Sequence, residues 1–270
     1  LWTNLKRAGI YLPLVLILWL LVYLINTVSW YIIIRSGGKP GFSFARLYKF
    51  TVTGFALNYV TPVGLMGGEP YRIMELKPYI GVERATSSVI LYVMMHIFSH
   101  FCFWLTSVLL YICLYPVGWG MGIILGAITI FCLLIALLFI KGYQHGMAVA
   151  FVRLGSRLPF LKKKVIPFAE VHREQLENID QQIALLHRQK KQTFYAALSL
   201  EYMARVVSCL EIWLILNVLT THVSFADCCL IAAFSSLLAN LLFFLPMQLG
   251  GREGGFALAV GGLSLSGAYG

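Results

Sequence analysis

Two short stretches place glutamate, arginine, proline and glycine together inside an otherwise apolar chain. Residues 61–72 read TPVGLMGGEPYR and residues 246–255 read PMQLGGREGG. Charged side chains inside a membrane usually pair with each other, face a cavity or lie on a substrate path. Arg72 and Arg252 could attract a lipid phosphate, helped by free backbone N–H groups at helix starts that follow glycine pairs. The alternative is structural: each glutamate neutralises its neighbouring arginine and joins two broken helices.

The two stretches share the pattern P-x-x-L-x-G-x-E, at Pro62 to Glu69 and at Pro246 to Glu253. Proline removes a backbone donor and glycine weakens a helix, so each motif should interrupt a helix in or near the bilayer. Paired, glycine-broken segments in two halves of a chain are typical of a transporter binding site at a repeat interface. We therefore predict an internal repeat, and Glu69 and Arg72, three apart, should share one helix face.

Other polar residues in apolar segments carry weaker signals. Glu201 and Arg205 stand in the favourable i, i+4 order, which fits either a helix lining the same cavity or a local salt bridge near the membrane surface. His96 and His100 are also i, i+4, but without a neighbouring cysteine or carboxylate they are expected to be interior histidines rather than metal ligands. No catalytic set, nucleotide-binding loop, metal site or cofactor is predicted.

The elements that must position these residues are membrane helices. The chain is 59% hydrophobic with 12% charged residues, and its mean hydropathy is +0.80. An ordinary soluble domain carries about 25% charged residues. Apolar runs long enough to cross a hydrocarbon layer recur without the alternation expected of a membrane β-barrel. We predict an all-α, polytopic helical membrane bundle with two broken, re-entrant helical motifs arranged as an inverted repeat.

Six apolar segments are candidate spans, and the second is polar enough to be a poor lipid-facing helix. They cover about 10–34, 46–63, 85–115, 119–140, 194–219 and 225–245. Residues 141–191 carry ten Lys or Arg against four acidic residues, as expected of a cytoplasmic loop. Counting back through four spans puts the N-terminus, with Lys6 and Arg7, on the cytoplasmic side too. Arg35, Lys39 and Arg46 would then face outward, against the positive-inside rule.

The expected organisation is a single transmembrane domain over 1–270. Its first half covers about 1–140, the basic loop about 141–191 and the second half about 192–270. Apolar residues at helical spacing over 167–189 predict an amphipathic helix that packs on the bundle or meets a partner. The apolar tail suggests that one or more C-terminal spans follow.

With its two broken motifs and basic middle loop, nearly the whole chain resembles the lysylphosphatidylglycerol synthase transmembrane-region family, which is often described as flippase-like. In that family the membrane region is implicated in moving lipids, including aminoacylated phosphatidylglycerol or polyprenyl-linked glycolipids, between leaflets. The resemblance implies substrate-binding roles in the first motif for Asn58, Thr61, Pro62, Gly67, Gly68, Glu69 and Arg72. In the second motif it implies such roles for Pro246, Gly250, Gly251, Arg252 and Glu253.

The function expected is lipid transport of the flippase or scramblase kind, in the inner (plasma) membrane. The bifunctional members of the family carry a soluble aminoacyl-transfer domain after the membrane region, and none follows here, so synthase activity is not implied. Two alternatives stay open: a membrane-embedded enzyme acting on a lipid phosphate or glycolipid, and a non-transporting scaffold for lipid-modifying enzymes. The expected partners are membrane lipids with anionic or phosphate-bearing headgroups and a lipid-modifying enzyme; nucleic acid is not expected.

Overall fold

The computed structural model describes residues 9–61, 67–145, 174, 177, 181, 191–219, 223–241 and 254–257. Within these residues the regular structure is entirely helical, which confirms the predicted all-α bundle. The helices are α1 (Tyr11–Ser36), α2 (Phe44–Val60), α3 (Gly68–Ile80), α4 (Val82–Leu114), α5 (Trp119–His145), α6 (Lys191–Leu219) and α7 (Phe225–Leu241).

Three described helices are long and apolar enough to cross a membrane: α1, α4, and α5 over Trp119–Leu137. The chain is therefore a multi-pass membrane protein, as predicted. Helix α7 is apolar but shorter. Helix α6 has 29 residues and thus the length for a crossing, but it carries Glu201, Arg205 and Glu211 in its interior. These charges have to be accommodated by neighbouring helices.

Helices α1, α4 and α6 form the centre of the bundle. Arg84, at the start of α4, donates a hydrogen bond to the Ile34 carbonyl near the end of α1 (2.8 Å). Further along α4, the Tyr92 ring stacks on Trp30 with centroids 5.5 Å apart, so α4 runs antiparallel to α1. The Ser29 hydroxyl donates to the Ala197 carbonyl of α6 (3.2 Å), which ties the third helix to this core.

Helices α2 and α3 form an antiparallel hairpin against the core. At its open end Arg46 Nη1 donates to the Tyr79 hydroxyl (2.8 Å), and at its tip the Gly68 N–H donates to Asn58 (2.7 Å). Phe55, near the tip, stacks on Tyr23, which lies halfway along α1 (5.3 Å). The hairpin thus starts and finishes at the C-terminal end of α1, and its tip lies near the middle of the bundle.

The remaining helices extend the bundle on the far side of α4. The ring centroids of Phe101 in α4 and Phe131 in α5 are 6.1 Å apart. Both residues lie about equally far along the chain from the short connection between these helices, so α5 runs antiparallel to α4. At that connection the Tyr115 hydroxyl donates to Asp227 near the start of α7 (2.6 Å), while Trp104 Nε1 donates to Ser236 (3.0 Å). Helix α7 therefore runs antiparallel to α4, parallel to α1 and opposite to α2.

This topology disagrees with one expectation about the two flanks of the chain. Because α2 and α3 return to the end of the bundle from which they start, α1 begins at the opposite end of the bundle from the end of α5. A cytoplasmic position for both the N-terminal flank and the 141–191 flank therefore does not fit the described helices. The expectation counted α2 as a full crossing and did not include the return of α3.

The predicted amphipathic helix over 167–189 lies outside the described residues, apart from three positions that are helical and exposed: Glu174, Glu177 and Gln181.

Candidate functional site

The first motif interrupts the helical hairpin, as its proline and glycines predict. Helix α2 ends at Val60, and Thr61 has extended backbone (φ −77°, ψ 130°), the conformation favoured before a proline. Helix α3 begins at Gly68 with Pro70 in its first turn, where the missing N–H needs no partner. The two helix ends meet closely: a Cβ on Gly67 would lie 2.5 Å from Thr61 Cγ2.

Asn58 joins the two helices at the tip. Its Oδ1 accepts a hydrogen bond from the Gly68 N–H (2.7 Å), one of the donors that the start of a helix leaves without an internal partner. Its Nδ2 donates to Glu69 Oε1 (3.1 Å). A single amide side chain on α2 therefore caps α3 and orients the first acidic residue of that helix.

Glu69 and Arg72 form an ion pair on one face of α3, as their spacing predicts. Arg72 Nη1 lies 3.4 Å from Glu69 Oε1, and Nη2 donates to the Thr51 carbonyl of α2 (3.5 Å). Only 1% of the Arg72 side chain is exposed, against 24% for Glu69. Glu69 Oε2 is buried and has no hydrogen-bond partner among the described residues. The pair thus leaves one carboxylate oxygen available to a further donor.

Arg72 is enclosed by three aromatic rings from three different helices. Its guanidinium carbon lies 4.7 Å from the ring centroid of Phe55, 5.2 Å from that of Tyr92 and 5.8 Å from that of Trp30. A desolvated cation–π contact contributes up to about 2 kcal/mol. Together with the ion pair, these contacts offset the cost of removing the guanidinium from water. We call Asn58, Glu69, Arg72 and these three rings the hairpin cluster.

Two glycines allow α2 and α3 to approach closely. A Cβ on Gly54 would collide with the Arg72 guanidinium, and a Cβ on Gly68 would collide with the backbone carbonyl of Gly54. Gly68 was among the predicted site residues, whereas Gly54 and Thr51 were missed. Their spacing could have identified them. Thr51, Gly54 and Asn58 stand at i, i+3 and i+7, which places all three on one face of α2.

A second polar cluster joins α4 to α6. The Glu201 carboxylate, whose side chain is 0% exposed, hydrogen-bonds through Oε2 to His96 Nδ1 (2.8 Å), and the His96 side chain is 32% exposed. Arg205 donates from Nη2 to the Ser99 hydroxyl (3.0 Å) and to the His96 carbonyl (3.2 Å). We call His96, Ser99, Glu201 and Arg205 the α4–α6 cluster.

The partners in this cluster differ from those that sequence spacing favoured. Glu201 and Arg205 make no ion pair with one another among the described residues; each bonds across to α4, and Glu201 is buried rather than near a surface. The His96–Glu201 contact was missed because the two residues are 105 positions apart. No spacing rule connects positions on separate helices.

Phe55 and Tyr92 of the hairpin cluster also contact His96 of the α4–α6 cluster. Besides enclosing Arg72, these rings lie 5.8 Å and 6.4 Å from the His96 imidazole. The predicted residues Asn58, Glu69, Arg72, Glu201 and Arg205 are thus gathered around two aromatic side chains in the middle of the bundle. Within the described residues, no group of three or more His, Cys, Asp or Glu could hold a metal ion.

The rest of the predicted site lies outside the described residues. This applies to Pro62 in the first motif and to all five residues of the second motif, which are Pro246, Gly250, Gly251, Arg252 and Glu253. Their predicted roles stay predictions.

In the conformation described, the hairpin cluster is closed to a lipid headgroup. Arg72 is almost fully buried and is held by Glu69 and the Thr51 carbonyl. A guanidinium carries five N–H donors, of which these contacts use two, so it retains donors for an anion once the surrounding groups separate. The guanidinium therefore keeps unused donors while Glu69 and the Thr51 carbonyl hold it in place.

The family model described as the lysylphosphatidylglycerol synthase TM region matches residues 1–270. No curated protein and no solved structure matches the chain.

Proposed function

The chain belongs to the lysylphosphatidylglycerol synthase transmembrane-region family, and from that premise we propose that it is a lipid transporter of the flippase or scramblase kind. Its substrate would be a phospholipid, an aminoacyl-phospholipid or a polyprenyl-linked glycolipid, moved between leaflets. One observation carries the proposal: a partly buried Glu69–Arg72 ion pair, with Arg72 almost fully enclosed, at the tip of a helical hairpin that ends near the middle of the bundle. Charges at that depth are costly and usually serve a substrate path.

The hairpin geometry supports a re-entrant segment. Helix α3 has 13 residues, which span about 20 Å against about 30 Å of hydrocarbon. It is too short to cross the hydrocarbon layer alone. Because it runs antiparallel to α2, it ends at the same end of the bundle from which α2 starts. A polar tip at half depth survives only where protein or a wet cavity surrounds it. We expect that cavity to receive the headgroup.

The headgroup step would be an exchange of partners. When the hairpin separates from the core, a lipid phosphate replaces Glu69 as the acceptor for Arg72, because two parallel N–H···O bonds to phosphate are stronger than a single bond of 3.4 Å. Glu69 then holds a cationic group of the headgroup, or a donor from the second motif, through the oxygen that lacks a described partner. Closure reverses the exchange and releases the lipid.

The second motif would supply the other half of the path. Helices α2 and α7 precede the two motifs and run in opposite directions, which supports an inverted repeat. In that arrangement Arg252 and Glu253 reach the same cavity from the other leaflet, with Pro246, Gly250 and Gly251 breaking their helix. Either leaflet could then load a headgroup.

We propose that the end of the bundle with the 141–191 loop faces the cytoplasm of a bacterial inner membrane. The described helices bring Arg35, Lys39 and Arg46 to that same end, so the three basic residues that opposed the positive-inside rule agree with it. The hairpin then opens toward the cytoplasm, and the flank before α1 lies on the other side.

The test is lipid movement between leaflets in liposomes that hold the purified protein, with fluorescent phosphatidylglycerol and phosphatidylethanolamine as probes. We expect wild type to move at least one probe, and Arg72→Gln to slow that movement at least tenfold. Arg46→Gln is the matched control, because Arg46 belongs to the same hairpin but is exposed; it should transport like wild type.

Thin-layer analysis of the same lipids separates the alternatives. A covalently changed lipid would favour the membrane-embedded enzyme. If folded wild type neither moves nor alters any lipid, the transporter proposal fails and a scaffold for lipid-modifying enzymes takes its place.

A further inference from the structure

The His96–Glu201 pair joins a fully buried carboxylate to a partly exposed imidazole. Glu201 is a carboxylate with a 0% exposed side chain, yet one of its oxygens, Oε1, is buried without a hydrogen-bond partner among the described residues. Its other oxygen is bonded to a histidine that is 32% exposed. A carboxylate buried only for packing would be a costly choice, because burial of an incompletely paired charge is strongly unfavourable.

Burial restricts what can reach this carboxylate. An amine or phosphate headgroup needs direct contact, and Glu201 lies between the continuous helices α4 and α6, whereas Arg72 lies on a hairpin that can separate from the core. A proton needs only the imidazole ring, since His96 can take it from water at Nε2 while Nδ1 holds Glu201. Histidine is also the side chain that ordinarily exchanges a proton between pH 5 and 8.

From this geometry we propose that His96 and Glu201 form a proton-binding site that couples lipid movement to the proton gradient. The inference rests on the proposed transport function and supplies its energy source. A hydronium ion on one side gives its proton to His96 Nε2, and the pair holds one additional proton. After the helices rearrange, the same proton leaves to water on the other side. No bond other than the N–H or O–H bond to that proton forms or breaks.

The charged and titratable groups around the pair can transmit the change. The groups that face it are Tyr92 and His100 on α4, Arg205 on α6, Arg72 and Glu69 on α3 beyond the Phe55 and Tyr92 rings, and Tyr23 on α1 beyond Phe55. Because Phe55 and Tyr92 contact both His96 and Arg72, a positive charge gained at His96 repels Arg72 through a layer with little water to screen it. Proton uptake therefore favours separation of the hairpin, with Arg72, from Trp30 and Tyr92 of the core helices, the state in which Arg72 can accept a phosphate.

The test uses the full chain in vesicles of phosphatidylethanolamine and phosphatidylglycerol, with a trace of acyl-labelled fluorescent phosphatidylglycerol. Potassium and valinomycin hold the membrane potential at zero while the pH differs by about one unit across the membrane. For one proton per lipid, this gradient supports an asymmetry of up to about tenfold between leaflets. A pH-sensitive dye inside the vesicles reports proton entry in the same experiment.

Three variants make the result specific. Glu201→Gln and His96→Gln should still move lipid, but to equal amounts in both leaflets and without dye response. Glu211→Gln, ten residues further along α6 and not among the groups that face the pair, should keep the wild-type asymmetry. If Glu201→Gln does not fold, as judged by its elution in detergent, His96→Gln alone decides, since His96 is partly exposed.

Different failures point to different conclusions. Movement by wild type that ignores the gradient overturns the coupling and leaves the transporter proposal standing. Persistent asymmetry in both the His96 and Glu201 variants also overturns the coupling. If folded wild type moves no lipid with or without a gradient, the transport function fails and the coupling fails with it.

Discussion

Glycines pack closely against a facing helix in the α2–α3 hairpin, whereas glycines of helix α5 lie next to open space. In the hairpin, a Cβ on Gly54 or Gly68 would collide with groups of the facing helix. In α5, a Cβ on Gly120 or Gly126 would meet nothing within 4 Å, and large side chains such as Ile123 are exposed. Both segments are rich in glycine, so composition alone does not distinguish them. Close packing, rather than residue type, separates the part of the bundle that holds charge from the part that meets lipid.

The largest difference between the closely packed and the exposed regions is expected when the buried Arg72 guanidinium is removed. Arg72→Met should destabilise the protein by about 3 kcal/mol, the lower end of the range for breaking a buried pair, because 24% of the Glu69 side chain is exposed. Arg46→Met, at the exposed end of the same hairpin, should cost less than about 1 kcal/mol. Denaturant unfolding in detergent measures both. Equal midpoints for the two variants would show that the aromatic rings and Glu69 do not hold the hairpin.

The same comparison can be made by adding a single methyl group to a glycine in each region. Gly68→Ala should destabilise the protein by about 1–3 kcal/mol, because its Cβ meets the Gly54 carbonyl and backbone has to move. Gly126→Ala adds the same methyl to α5, where space is open, and should be neutral or stabilising by up to about 1 kcal/mol. Thermal unfolding of the two variants beside wild type gives the comparison. A lower melting temperature for Gly126→Ala than for Gly68→Ala would contradict it.

The smallest expected effect lies at the C-terminal end of α4, at Tyr115. Burial and, above all, the hydrogen bond to the Asp227 carboxylate raise the pKa of Tyr115 to about 12. Because this pKa lies above the ordinary value of about 10, the bond stabilises the protein fully below pH 10 and is lost as the pH rises through about 12. Absorbance titration of wild type minus Tyr115→Phe should show one tyrosine ionising near pH 12. Ionisation of that tyrosine near pH 10 would mean that the bond to Asp227 does not persist in solution.

Much of the fold could be predicted from the sequence because it depends on local features. Long apolar runs determine where α1, α4 and α5 lie, and the proline and glycines around residue 62 predict the break between α2 and α3. Glu69 and Arg72 pair because residues three apart on a helix are neighbours. Each of these inferences uses residues within a few turns of one another.

The other features depend on contacts between distant segments. Trp30, Phe55 and Tyr92 enclose Arg72 from three helices, and each alone resembles an ordinary membrane aromatic. The return of α3 along α2 could not be predicted, because hydropathy contains no information about the direction in which a segment runs. His96 and Glu201 meet only because α4 and α6 pack side by side.

The aromatic enclosure of Arg72 also constrains biogenesis. Helix α3 emerges from the ribosome before Tyr92 does, and an arginine costs about 2.5–3.5 kcal/mol at the centre of an inserting helix. Trp30 and Phe55 are available by then, but the third ring is supplied only when α4 follows. The hairpin is therefore expected to wait at the membrane surface until α4 has inserted, and a nascent chain arrested before Tyr92 would leave Arg72 accessible to water.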